Sequence, residues 1–173
     1  MIGLGRMGLG MSRRLSKRGH EVWGYDVSLE TRERAKEHIR VLEGLEELKD
    51  QEEKIIWLMV PHEVVDEAIN SLRPYLKTGN IIIDGGNSYY KDSQRRAKEL
   101  KEIGVYFLDV GVSGGVYGEE LGYCLKPAKS LSLKEFFCLD LKRAKRASAM
   151  VGIGTALLMA SSTVQRPSPV SST

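Results

Sequence analysis

The chain has 173 residues, 42% hydrophobic and 28% charged, enough for one globular domain with a core of its own. Its formal charge of +3 is uneven: residues 126–173 hold eight Lys or Arg against two acids, which leaves residues 1–125 with 18 basic and 21 acidic residues, a net of −3. Two cysteines without C-x-x-C spacing exclude a disulfide scaffold, and arginines at 6, 13 and 14 interrupt any secretory apolar core. The apolar run 147–160 is shorter than the roughly 20 residues of a spanning helix, so a cytoplasmic chain without membrane contact is expected.

Short apolar runs alternate with amphipathic stretches, which predicts an α/β fold of the doubly wound Rossmann type with a mostly parallel sheet. Only Met1 and Ile2 precede the first glycine, where a strand usually has about five or six residues. A truncated first strand, and a start several residues upstream, are therefore expected. Met7, Met11 and Leu15 recur at helical spacing and predict a helix over residues 7–17, with Arg13, Arg14, Lys17 and Arg18 toward solvent and Gly19 ending it. A strand over 21–25 ends at Asp26, and Ser28 is placed to cap a charged helix reaching about residue 38. A brief strand near Val41 and a short acidic helix over 45–48 lead to the apolar run 55–60, which reads as a strand covered on both faces and is ended by Pro61. A helix marked by Val64, Val65, Ala68, Ile69 and Leu72, a strand over 81–83, a helix over 93–102 and a strand over 105–110 follow. Residues 126–146 show no clean period, and 161–173 are rich in Ser and Pro, so 1–125 is expected to be the domain and 126–173 a basic tail outside it.

Three loops carry chemistry. Gly3-Leu4-Gly5-Arg6-Met7-Gly8 fits G-x-G-x-x-G directly before a helix, with Asp26 ending the next strand. Gly3 suits a tight turn, Gly5 admits a pyrophosphate to the helix N-terminus, and Gly8 allows close packing. Asp26 can accept from an adenine ribose and repels a 2′-phosphate, which favours NAD over NADP. Asp84-Gly85-Gly86-Asn87-Ser88 and Asp109-Val110-Gly111-Val112-Ser113-Gly114-Gly115 each follow a strand, where open α/β sheets bind ligands. Asn87 offers a donor and an acceptor there, although a plain glycine turn with Ser88 capping the next helix accounts for the first loop equally well. His20, His38 and His62 have no metal spacing, and no metal is expected. The basic face of the first helix lacks the interleaved aromatics of a nucleic-acid surface.

Residues 3–11 (GLGRMGLGM), 84–88 (DGGNS) and 109–125 (DVGVSGGVYGEELGYCL) together resemble 6-phosphogluconate dehydrogenase, and Met59-Val60-Pro61 resembles its loop beside the nicotinamide. The resemblance covers 1–125, the cofactor-binding part, and Asp26 resembles the NAD-using branch. It implies oxidative decarboxylation of 6-phosphogluconate to ribulose 5-phosphate, with the hydride passing to NAD and no metal required. By the same resemblance Gly3, Gly5, Arg6, Met7, Gly8, Asp26, Met59, Val60 and Asn87 contact the cofactor, and Asn87, Ser113, Gly114 and Gly115 contact substrate. The family's Lys base, Glu acid and helical domain, through which it forms homo-oligomers, have no counterpart in 126–173. A cofactor-binding part inactive alone is expected, with a shifted reading frame behind the tail, and strand pairing is expected to stop before Pro127. The alternatives are a β-hydroxyacid dehydrogenase of the 3-hydroxyisobutyrate type and a non-catalytic NAD-binding module. Gly85-Gly86-Asn87 argues against the former.

Overall fold

The computed structural model describes residues 1–127; the readings of the remainder of the tail, its order and its reading frame, fall outside the described residues. The elements are α1 (Arg6–Lys17), β1 (Trp23–Gly24), α2 (Leu29–Ala35), β2 (Arg40–Val41), β3 (Ile55–Leu58), α3 (Val65–Leu72), β4 (Ile81–Asp84), α4 (Tyr90–Glu102), β5 (Tyr106–Ser113), α5 (Gly118–Leu121) and β6 (Cys124–Pro127). Strands β3, β4 and β5 run parallel in that order, and β1 pairs with β2 in parallel as a separate ribbon. This is the Rossmann-like, mostly parallel α/β fold. Among the described residues no helix is long and apolar enough to cross a membrane.

One residue joins the ribbon to the sheet. Ile2 bridges Tyr25 on one side and Leu58 on the other, both in parallel. Its N–H donates to the Trp57 carbonyl and its carbonyl accepts from Met59, each at 2.8 Å. On the other edge Gly3 N–H donates to Tyr25, and Tyr25 N–H donates to Met1, each at 2.9 Å. The expected short first strand is thus a single bridged residue. The Met1 amino group reaches the Trp23 carbonyl at 2.7 Å, and burial lowers its pKa to about 5.

The apolar alternation explains why the sheet is buried on both faces. Ile56, Leu58 and Ile82 point into a cluster with Val65, Ile69, Leu72 and Leu100. Trp57, Ile81 and Ile83 point the other way, toward Met11, Val110 and Tyr123. Leu4, Ala35 and Ile39 close a third cluster under the ribbon.

Three details differ from the sequence reading. Strand pairing continues through Lys126 and Pro127, because β6 lies antiparallel at the edge of β5, with Pro127 opposite Val110. An edge strand has a free side on which a missing N–H costs nothing. α2 stops at Ala35 rather than near His38, although Ser28 caps it as expected by accepting from Thr31 N–H. The basic face of α1 is not simply solvated. Arg13 and Lys17 pair with Glu119 at 3.5 and 2.9 Å, and Arg14 donates to the carbonyls of Glu119 and Glu120 at 2.9 and 3.0 Å. These contacts fasten α5 to α1.

Ile2→Ala removes the buried side chain at the junction and is expected to cost about 2–4 kcal/mol. Urea denaturation measures this, and a loss below about 1 kcal/mol would show that the ribbon is held by other contacts.

Candidate cofactor site

The loops after the first bridge, β3, β4 and β5 all open on the carboxyl edge of the sheet. Glycines let them touch. A methyl group on Gly3, whose φ is +88°, would collide with the Met59 carbonyl and the Val60 side chain. One on Gly86 would overlap the Val60 carbonyl oxygen, and one on Gly85 would meet the Met59 sulfur and the Trp57 indole nitrogen. Met7, Met59 and Val112 pack around the same apolar cluster. The structure therefore brings together Gly3, Met7, Gly8, Met59, Val60, Gly85, Gly86 and Val112. Ser113 ends β5, Asn87, Gly114 and Gly115 lie in the neighbouring loops, and all four are exposed.

Gly5 stands apart. It is the N-cap residue of α1, with φ −61°, which any residue adopts, and a Cβ there would meet no atom of the described residues within 4 Å. Among the described residues nothing requires glycine at this position. The open backbone leaves room for a ligand at the first turn of α1, which presents unpaired N–H groups and has no acidic side chain. Gly8 is the opposite case: a Cβ would overlap the Gly3 carbonyl oxygen, so the turn itself forbids one.

Asp26 has two tasks. Its Oδ2 accepts from Leu4 N–H at 2.8 Å and its Oδ1 from Ser28 N–H at 2.9 Å, which ties the glycine turn to the end of the ribbon. Each oxygen keeps a further lone pair that can accept from another donor. The exposed side chains of Val27 and Leu29 stand next to it in the chain. The cleft of about 640 Å³ between Trp23 and Ile55 lies at the opposite end of the strands, lined by Met1, Val22, Leu42 and Trp57, and takes no part in this arrangement.

Sequence reasoning missed two groups of residues. Ser88 does not cap α4. Its hydroxyl donates to Asp84 Oδ2 at 2.6 Å and accepts from Arg96 at 2.9 Å, while α4 begins at Tyr90 without a side-chain cap. Arg96 is buried and also grips Asp66 of α3 through Nε and Nη2 at 2.8 and 3.1 Å. The one available signal was an arginine on the inner face of α4, and helical spacing alone does not say which acid it meets. Tyr123 is the second omission. It packs so closely against Gly10 and Gly118 that neither has room for a side chain, which sets α5 and the 113–115 loop against α1.

A glycine turn at a helix N-terminus, with an acid at the end of the following strand, defines a dinucleotide-binding domain of the dehydrogenase class. The chain belongs to the 6-phosphogluconate dehydrogenase family: the NAD binding domain of that enzyme matches residues 1–126. It is 39% identical over 129 residues to an NAD(+)-dependent, decarboxylating 6-phosphogluconate dehydrogenase of Haloferax volcanii, covering 72% of this chain and 42% of that one. It is 41% identical over 136 residues to a decarboxylating 6-phosphogluconate dehydrogenase of Chlamydia pneumoniae, covering 73% and 28%. An NADP(+)-dependent relative in Bacillus subtilis is 35% identical over 135 residues. Among solved structures, Plasmodium falciparum 6-phosphogluconate dehydrogenase superposes with a TM-score of 0.62 at 35% identity, covering 74% of this chain and 30% of that one. Mycobacterium tuberculosis 3-hydroxyisobutyrate dehydrogenase gives 0.65 at 25% identity, covering 78% and 47%. The chain spans less than half the length of each of these relatives.

Two outcomes follow from this geometry. Gly5→Ala is expected to weaken NAD binding by about tenfold or more with at most about 1 kcal/mol lost from folding, whereas Gly8→Ala loses more than about 2 kcal/mol of stability. Paired calorimetry and urea titration separate the two, and equal destabilisation by both would refute the ligand explanation for Gly5. The second outcome concerns acid. Hydrogen bonds from Arg96, opposed by partial burial and helped by Arg95, lower the Asp66 pKa from 3.8 to about 2. Its contribution to stability is complete above pH 4 and is lost as the pH falls toward 2. Asp66→Asn is expected to flatten the stability–pH curve in that window.

Proposed function

We propose that this chain is the cofactor-binding part of a decarboxylating 6-phosphogluconate dehydrogenase that prefers NAD. The observation that carries the reading is the open backbone at Gly5 facing the N-terminus of α1, with Asp26 fixed beside it. In this reading Gly3, Gly5, Arg6 and Gly8 hold the pyrophosphate, the first and last by shaping the turn and Gly5 by admitting it. Asp26 accepts from the adenine ribose, and its charge disfavours a 2′-phosphate. Met7, Met59 and Val60 form the apolar wall against the nicotinamide, with Asn87 at its edge.

NAD supplies a two-electron hydride acceptor, and the chain's own residues bind and orient around it. Asn87, Ser113, Gly114 and Gly115 are exposed at the same edge and supply an amide, a hydroxyl and backbone N–H groups for the hydroxyls and carboxylate of 6-phosphogluconate. None of these is an acid or base in the neutral range. The proton transfers of the reaction, which typically gain 10²–10⁴-fold from a positioned group, need residues outside this set. The chain alone is therefore expected to bind NAD without turning over substrate. The likeness to 3-hydroxyisobutyrate dehydrogenase supports the shared fold, while the higher identity to 6-phosphogluconate dehydrogenase and the Gly85-Gly86-Asn87 turn support the sugar acid.

Calorimetric titration of the 173-residue chain tests this. NAD is expected to bind at least about tenfold tighter than NADP, and Asp26→Ala to narrow that ratio. Equal affinity for both cofactors would refute the role of Asp26, and NADH formed from 6-phosphogluconate by the pure chain would refute its inactivity.

A further inference from the structure

The hydrogen bonds around the turn after β4 converge on one side chain. Asp84 ends β4 with its carboxylate fully buried. Its Oδ1 accepts from Gly86 N–H at 2.9 Å; its Oδ2 accepts from the Ser88 hydroxyl at 2.6 Å and faces Arg96 Nη1 at 3.4 Å. The same Nη1 donates to Ser88 Oγ at 2.9 Å. The other side of the guanidinium, Nε and Nη2, is taken by Asp66.

Between Gly86 and Ser88 stands Asn87, with φ +60°, the one non-glycine residue at positive φ among those described. A side chain in that region persists when its surroundings over-determine it. Here the surroundings are the amide of residue 86 and the hydroxyl of residue 88, both held by Asp84, whose buried charge is answered by Arg96.

We propose that Arg96 is a positioning residue: it fixes the left-handed turn at Asn87 and thereby the side chain that meets the nicotinamide end of the cofactor. The inference rests on the cofactor placement proposed above. A planar guanidinium suits the task because three nitrogens serve acceptors in two directions, whereas an ammonium is a single point of charge. An ion pair between α3 and α4 alone would not need it, since the exposed Arg95 already reaches Asp66 at 2.8 Å. The geometry specific to Arg96 is the inward nitrogen on Asp84 and Ser88.

The test uses the 173-residue chain and two probes, NADH and ADP-ribose, the second lacking the nicotinamide. Arg96→Lys is expected to lower NADH affinity by about tenfold and to change ADP-ribose affinity by less than about twofold. In the NMR spectrum the Gly86 amide is expected to lose its protection from exchange, and the Asn87 HN–Hα coupling to leave its left-handed value. Equal losses for both probes, or no change in their ratio with Gly86 still protected, would overturn the proposal. If Arg96→Lys does not fold, Ser88→Ala removes the inward bridge and leaves the buried ion pair in place. It is expected to produce the same selective loss at roughly threefold, and an unchanged ratio there would also overturn the proposal. Equal affinity of the unaltered chain for NADH and ADP-ribose would fault the placement of Asn87, with Arg96 then judged on Gly86 protection alone. Binding of neither probe would fault the proposed function instead.

Discussion

Ile2 gives both edges of its backbone to neighbours, one to Tyr25 through Met1 and Gly3, the other to Trp57 and Met59. Every later feature of the site depends on that double pairing. It places the turn beginning at Gly3 between the end of the ribbon and the end of β3, so Asp26 can reach Leu4 from one side while Met59 and Val60 lie against Gly3 from the other. A β ladder one residue long carries few hydrogen bonds, so the junction relies on the burial of Ile2 among Leu42, Leu58 and their neighbours.

The cofactor edge is assembled by the absence of side chains as much as by their presence. Gly3, Gly85 and Gly86 allow three loops to approach within contact distance, and Gly10 and Gly118 leave room for the Tyr123 ring that seats α5 on α1. Gly5 is absent from that account because, among the described residues, no atom lies within 4 Å of where its Cβ would be. That contrast separates glycines required by packing from one whose backbone is left open at the N-terminus of α1.

Charge is used in the same economical way. The basic face of α1 is largely spent on Glu119 and the carbonyls of α5. Asp84 is tolerated in the interior because Gly86, Ser88 and Arg96 satisfy it together; an isolated buried carboxylate would be costly. The net charge of +3 describes none of these local balances. The portion matched to the family is mildly acidic, and the surplus of positive charge lies in residues 126–173.

The parallel α/β class, the glycine turn, Asp26 and the loops at 84–88 and 109–115 are legible in the residues alone. These are set by local chemistry: apolar runs of strand length, glycines where backbone must turn, an N-cap at Ser28. Packing is what makes Ile2 join two sheets, Arg13, Arg14 and Lys17 hold α5, Pro127 end an edge strand, and Arg96 serve Asp84 and Asp66 at once. Each of these joins residues far apart in the chain. Spacing along a sequence says which face of an element a side chain occupies, while its partner is set by how the elements pack.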